Sequence, residues 1–243
     1  MQLPSGKMYR VLTTVVAFNE ARKLKTEFER FTPGLTDEVL LVDDGSTDES
    51  ALVGKQAGVS VVTHPKRRGV GAAVRTAIKY ALEHEYDVLT IMAGNDKDRP
   101  DEIPRLLRKI DEGYDFVIGS RYLPGGRYDN TPTYRILATR FVHPWVVWLT
   151  TGRLLTDTST GFHAIRTTFF KDPRVHLNQD WLEEYDCEMY ILYKAITLGY
   201  KIAEVPASKI YPPWELSYTK MNPISGWWKM LRAFFYLRLG IKD

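Results

Sequence analysis

The chain has 243 residues, 44% of them hydrophobic, enough to bury a full core as one large domain or one domain with appendages. Lysine and arginine (33) barely outnumber aspartate and glutamate (30), so the net charge of +3 gives no bulk electrostatic case for nucleic acid as a partner. The single cysteine, Cys187, cannot form an internal disulfide, which fits a reducing, cytoplasmic location. No apolar signal core opens the chain, and no stretch reaches the roughly 18 apolar residues of a membrane span.

Residues 9–18 (YRVLTTVVAF) are a continuous β-branched run, the pattern of a strand buried on both faces. Helical spacing follows over 19–31, with Asn19 placed to cap it. A second strand is predicted over 37–46 (DEVLLVDDGS) and a helix over 47–58, with Gly58 at its C-terminal end. Then come a strand over 59–65, a helix over 69–85 and a strand over 86–94. This alternation predicts an α/β fold with a doubly wound, mostly parallel sheet, whose ligands sit outside the carboxyl ends of the strands. The loops to examine are therefore AFNEA (17–21), DDGSTD (43–48) and AGNDKD (93–98).

A helix over 102–113 and a strand over 114–122 continue the pattern, which then changes to a Gly/Pro loop and a long helical stretch from about Tyr134. LLTDTSTGFHAIR (154–166), a helix ending near Gly199 and the strand KIAEV (201–205) follow. We expect one catalytic domain over 1–223, with a nucleotide-binding half at about 8–120 and an acceptor half at about 121–223. The segment 224–243 is amphipathic: Trp228, Leu231, Phe235 and Leu239 share one helix face, and Lys229, Arg232 and Tyr236 another. Such a helix either lies in a membrane interface or closes the core.

Asp43 and Asp44 stand at a strand end, where a carboxylate accepts hydrogen bonds from a base or ribose hydroxyl; Ser46 or Asp48 could instead cap the next helix. GVGAAV (69–74) lacks the last glycine of a dinucleotide loop and follows the third strand, so Gly69 and Gly71 are read as starting a helix packed closely on the sheet. No Walker GK[ST] occurs, and His64, His84, His143, His163 and His176 are scattered without zinc spacing, as structural histidines are.

VVAFNEA, VLLVDDGSTDES, HPKRRGVGAAVRTAI, VIGSRY, DTSTGFHAIR, EMYILYKAITLGYKIAEVP and SYTKM follow one another in an order that resembles family 2 glycosyltransferases with the nucleotide-diphospho-sugar (GT-A) fold. Within that family the chain is most similar to the polyprenyl-phosphate sugar synthases, such as dolichyl-phosphate mannose synthase, over about residues 10–225. The resemblance implies that Val16, Ala17, Phe18, Glu20 and Asp44 hold the nucleotide, with Ala93, Gly94, Asn95 and Lys97 beside the diphosphate. It also implies a divalent metal, Mg²⁺ or Mn²⁺, on the loop at 93–98. The family's usual DADLQHPP stands here as AGNDKDRP, so Ala93, Asn95 and Lys97 replace two carboxylates and a glutamine. Two outcomes stay open: Asn95, Asp96 and Asp98 supply oxygens to a weakly held metal, or Lys97 neutralises the diphosphate as a point charge.

For the acceptor side the resemblance implies Arg121, Arg135, Thr139 and Lys220 at the acceptor phosphate. An arginine usual before Lys220 is missing where YPPWEL stands, and Lys209 is the nearest cation. Arg121, Asp157 and Glu188 are the catalytic candidates: Asp157 reaches a metal or the sugar hydroxyls, and Glu188 is an inward charge or a partner of Arg121. Arg121 in turn could simply bridge Asp157, and Trp145, Trp148, Trp227 and Trp228 line a lipid path or pack the core.

The expectation is an inverting enzyme moving a hexose from GDP-mannose or a UDP-sugar to dolichyl or undecaprenyl phosphate. The membrane surface is reached through the C-terminal helix or a membrane protein partner. A phosphate acceptor is already ionised and needs no base. A glycan-extending enzyme using Asp157 or Glu188 as base, or a silent nucleotide-sugar binder, are the alternatives.

Overall fold

The computed structural model describes residue 6, residues 8–212 and residues 225–243. Seven strands, β1 (Val11–Ala17), β2 (Glu38–Asp43), β3 (Ser60–Thr63), β4 (Val88–Ala93), β5 (Phe116–Ser120), β6 (His163–Arg166) and β7 (Ile202–Pro206), form one sheet in the order β3-β2-β1-β4-β6-β5-β7. All neighbours pair in parallel except β6, which runs antiparallel between β4 and β5. The expected doubly wound, mostly parallel sheet is present. The segment carrying DTSTGF adds β6, a strand absent from the sequence-based order.

Helices cover both faces, which is why the central strands lack polar alternation. Along β1, Leu12 points into a core built with α3 (Val70–Glu83) and α7 (Asp186–Thr197), while Val11 and Val15 point into a second core with α1 (Ala21–Phe28) and α4 (Ile103–Asp111). Helix α2 (Ser50–Gln56) lies beside α1. The long helical stretch divides into α5 (Thr133–Leu137), one π turn (Ala138–Val142) and α6 (His143–Thr151).

The C-terminal helix α8 (Ser225–Arg238) packs against α6 and α7. Met230, Ala233, Phe234 and Leu237 are buried in the core, and Arg232 pairs with buried Asp186 at 2.7 Å. Trp228 and Leu239 remain 54% and 70% exposed, so one stripe closes the core while another apolar stripe faces outward. The core-closing reading therefore holds for the inner stripe.

Two local expectations are corrected. Asn19, at φ +51°, does not cap α1; its side-chain oxygen accepts the backbone N–H of Thr47 at 2.7 Å and its own N–H donates to Ser46 Oγ at 2.8 Å, binding two loops together. Gly69 and Gly71 do begin α3, but their close approach is to the carbonyls of Glu183 and Leu182 ahead of α7 and not to the sheet.

Candidate active site

Strand order reverses between β1 and β4, whose carboxyl ends lie side by side with Val16 opposite Ala93. A crevice opens at such a reversal because the loops leave in opposite directions. Here Val16, Ala17 and Phe18 after β1 and Ala93, Gly94 and Asn95 after β4 line a cleft that also takes in Glu20, Asp44, Lys97, Arg121, Arg135, Thr139, Glu188 and Lys209. Expected donor and acceptor residues thus share one space. It is an open cleft of about 1380 Å³, counted out into its solvent-filled mouth.

Asp44 is fixed by its surroundings. One carboxylate oxygen accepts Arg68 N–H at 2.9 Å and lies 2.8 Å from His64 Nδ1; the other accepts Gly69 N–H at 2.8 Å. The loop at 64–69 is thereby pulled across Gly45, whose φ of +72° and contact with the Lys66 backbone leave no room for a side chain. That crossing delivers Arg67, which the sequence reading left unassigned: its guanidinium lies 4.7 Å from the Phe18 ring centre at the cleft wall. A cation-backed aromatic face is a stacking platform for a planar base. Glu20 is engaged by Lys23 at 2.7 Å, and both line the cleft.

The loop after β4 is not a solvated turn. Lys97 and Asp98 are buried, and Asp96 adopts φ +59°, which an aspartate tolerates. Asp96 turns away from the cleft onto Arg30 in the turn after α1, while its N–H donates to Glu27 Oε2 at 3.0 Å. Glu27 is fully buried, and burial followed by the nearby Asp98 charge pushes its carboxyl well above the usual range. Asp98 is held by Lys209 at 2.7 Å. Lys97 lines the cleft 4.1 Å from the Tyr211 ring centre, and burial, then the charges of Lys209, Arg135 and Lys23, push its ammonium down to about 7.

These placements decide how the loop suits a divalent ion. Asn95, Asp96 and Asp98 are not gathered about one point: only Asn95 lines the cleft, and both aspartates are committed to cations. Among the described residues no three His, Cys, Asp or Glu side chains form a group able to hold a metal. The donor set does not fit Mg²⁺ or Mn²⁺.

On the acceptor side Arg121 and Asp157 form a buried pair, with Arg121 Nε donating to Oδ2 at 2.6 Å and Nη2 to Oδ1 at 3.1 Å. This realises the bridge foreseen for Arg121. The Asp157 backbone N–H donates to Glu204 at 2.9 Å. Asp157 lies behind Arg121 and does not line the main cleft, whereas Arg121 does. Glu188 lies in the cleft wall against Gly161, is not paired with Arg121, and is pushed up to about 7 by burial. Arg135 donates to Tyr211 Oη at 2.9 Å, so Tyr211 joins Arg135 to Lys97. Thr139 sits in the π turn, donates to the Arg135 carbonyl at 2.8 Å and bonds Tyr122 Oη. Lys220 lies outside the described residues. Trp227 lines the cleft with Met230, while Trp145, Trp148 and Trp228 face outward.

Residues 14–172 match the family described as glycosyl transferase family 2. The undecaprenyl-phosphate mannosyltransferase of Micrococcus luteus is 29% identical over 221 residues, covering 88% of each chain. The polyprenol monophosphomannose synthase of Mycolicibacterium smegmatis is 28% identical over 220 residues, covering 88% of this chain and 81% of that one. In fold, the glucosyl-3-phosphoglycerate synthase of Mycobacterium tuberculosis, solved with Mn²⁺, UDP-glucose and phosphoglyceric acid, superposes with a TM-score of 0.70 at 18% identity, covering 97% of this chain and 81% of that one. The fold is that of the GT-A glycosyltransferases, and the chain belongs to glycosyl transferase family 2.

Proposed function

We propose that this glycosyltransferase moves one hexose from a nucleoside diphosphate sugar to a polyprenyl phosphate at a membrane surface. The observation that carries the reading is the cationic lining of the cleft, which includes Arg121, Arg135 and Lys209 together with Thr139. Two anions must meet there, and their repulsion is relieved only by preorganised cations. Relatives named for undecaprenyl-phosphate and polyprenol-phosphate acceptors support the same acceptor chemistry.

In this reading the base packs against Phe18 beside Arg67, and Asp44 fixes the loop that carries Arg67. An ionised oxygen of the lipid phosphate attacks the anomeric carbon and forms the new C–O bond. The bond from that carbon to the β-phosphate oxygen breaks, and its electron pair leaves with the nucleoside diphosphate, inverting the configuration. No proton has to be removed, so Asp157 serves by holding Arg121 in place and not as a base. The alternative, a glycan alcohol as acceptor, needs a base, and Glu188 at about 7 is the group in the cleft suited to that role.

Among the described residues no helix is long and apolar enough to cross a membrane. Helix α8 packs against α6, and Trp228 and Leu239 of the C-terminal segment, with Phe141, Trp145, Trp148 and Leu149, are exposed aromatic and aliphatic side chains. Tryptophans of this kind favour a bilayer interface, so we assign membrane contact to both helices and not to the C-terminal segment alone.

The test is product formation from a panel of GDP- and UDP-sugars with a short polyprenyl phosphate, the matching polyprenol, and a soluble glycan. Label extracted into organic solvent only with the phosphate supports the reading. Label on the glycan, lost in Glu188→Gln, would establish the alternative.

A further inference from the structure

Resting on the reading of this cleft as a nucleotide-sugar site, we infer that the ammonium of Lys97, with Lys209 behind it on Asp98, occupies the role of the divalent cation. The chain then binds its nucleoside diphosphate without metal. Lys97 is placed for this by the fold: it follows β4 at the point where strand order reverses, and its side chain enters the cleft although only 4% of the residue is exposed.

Its direction is set from two sides. The Lys97 carbonyl accepts the N–H of Ile210 at 2.9 Å, strapping the loop to the segment after β7, and the ammonium stands 4.1 Å from the Tyr211 ring centre. Arg135 holds the same tyrosine through its hydroxyl at 2.9 Å, so Lys97 and Arg135 flank one aromatic side chain. A lysine donates up to three hydrogen bonds from a compact charge, which suits the oxygens of a diphosphate.

The oxygens a metal would require are spent elsewhere. Asp98 is bound by Lys209, Asp96 by Arg30, Glu20 by Lys23, and both oxygens of Asp44 by the loop at 64–69. Asn95 Oδ1 is buried with no hydrogen-bond partner, a single neutral acceptor where an ion of this class needs several oxygens.

The experiment is calorimetric titration of the full chain with GDP, UDP, GMP and UMP, first in excess EDTA and then with Mg²⁺ or Mn²⁺. One diphosphate is expected to bind in EDTA at least about tenfold more tightly than its monophosphate, as one or two charge-assisted hydrogen bonds provide, with less than about twofold change on adding metal. Lys97→Met, close in shape, should abolish the preference for diphosphate while leaving the monophosphate affinity intact, and Lys97→Arg should keep part of it. Retained monophosphate binding shows that the variant is folded. Ala93→Asp, which places a carboxylate on the cleft wall, should weaken diphosphate binding in EDTA and confer a response to Mn²⁺. Diphosphate binding that appears only with Mg²⁺ or Mn²⁺, or a preference that survives Lys97→Met, overturns the inference. No nucleotide bound with or without metal overturns the nucleotide-sugar reading beneath it.

Discussion

The loops after β2 and β4 end neighbouring parts of one sheet, yet they treat their carboxylates in opposite ways. After β2, Asp44 gathers hydrogen bonds from His64, Arg68 and Gly69 while still lining the cleft, so the acid organises a binding wall. After β4, Asp96 and Asp98 are drawn away onto Arg30 and Lys209, and the group facing the cleft is a lysine. The same residue type at the same end of a parallel sheet is therefore structural in one loop and site-forming in the other. What decides between them is the cation supplied from elsewhere in the chain, the turn after α1 for Asp96 and the segment after β7 for Asp98.

The largest effect is expected where a buried pair is broken. Arg121→Met leaves the Asp157 carboxylate buried and unpaired, and about 3–5 kcal/mol of stability should be lost in denaturant unfolding, with transfer activity. Arg121→Met combined with Asp157→Leu should recover much of the stability and none of the activity, which separates the structural share of the pair from its work on the acceptor.

Glu188 sharpens the contrast by pH. Its carboxyl is pushed up to about 7 by burial, ahead of a lowering contribution from Lys209 and a raising one from Asp98. A folded value above the unfolded one means that the folded chain binds the extra proton between about pH 4.5 and 7. Its contribution to stability is complete below that window and fades as pH rises through about 7. Unfolding measured at about pH 5 and pH 8 should differ by about 1–3 kcal/mol from this group, and Glu188→Gln should remove that share. An unchanged difference in the variant assigns the pH response to other groups, Glu27 first among them.

Outward-facing tryptophans should affect location and not folding. Trp145→Glu with Trp228→Glu is expected to lower binding to anionic vesicles by about tenfold while stability stays within about 0.5 kcal/mol. Deleting 224–243 is a poorer test, since it strips Phe234 and Ala233 from the core. The smallest effect is reserved for Asp96→Asn. An ion pair partly open to water is worth at most about 1 kcal/mol, so stability should fall by no more than that and donor affinity should stay within about twofold. A large loss of metal-stimulated activity instead would return Asp96 to the site.

The sheet was legible because β-branched runs and amphipathic helices alternate locally, and the strand-end loops followed from that order. β6 escaped because its pairing strands are 72–78 and 45–49 residues away, and four residues carry no periodicity of their own. Phe18, Glu20, Asp44 and Lys97 were nominated through family resemblance, and all four line the cleft. Arg67 and Tyr211 were not: HPKRRG and YPPWEL read as ordinary basic and proline loops, and only the contacts of Asp44 with the 64–69 loop and of Lys97 with Tyr211 bring these two side chains to the cleft. Asn19 was misread because its partner loop lies 28 residues away, a contact that no helix-start pattern contains.

The most direct measurement is the rate of nucleoside diphosphate release from the preferred donor on vesicles with and without polyprenyl phosphate. The account predicts release that depends on the lipid phosphate and matches, mole for mole, the sugar extracted with lipid. Release at the same rate without the phosphate, or only when a glycan is supplied, would contradict it.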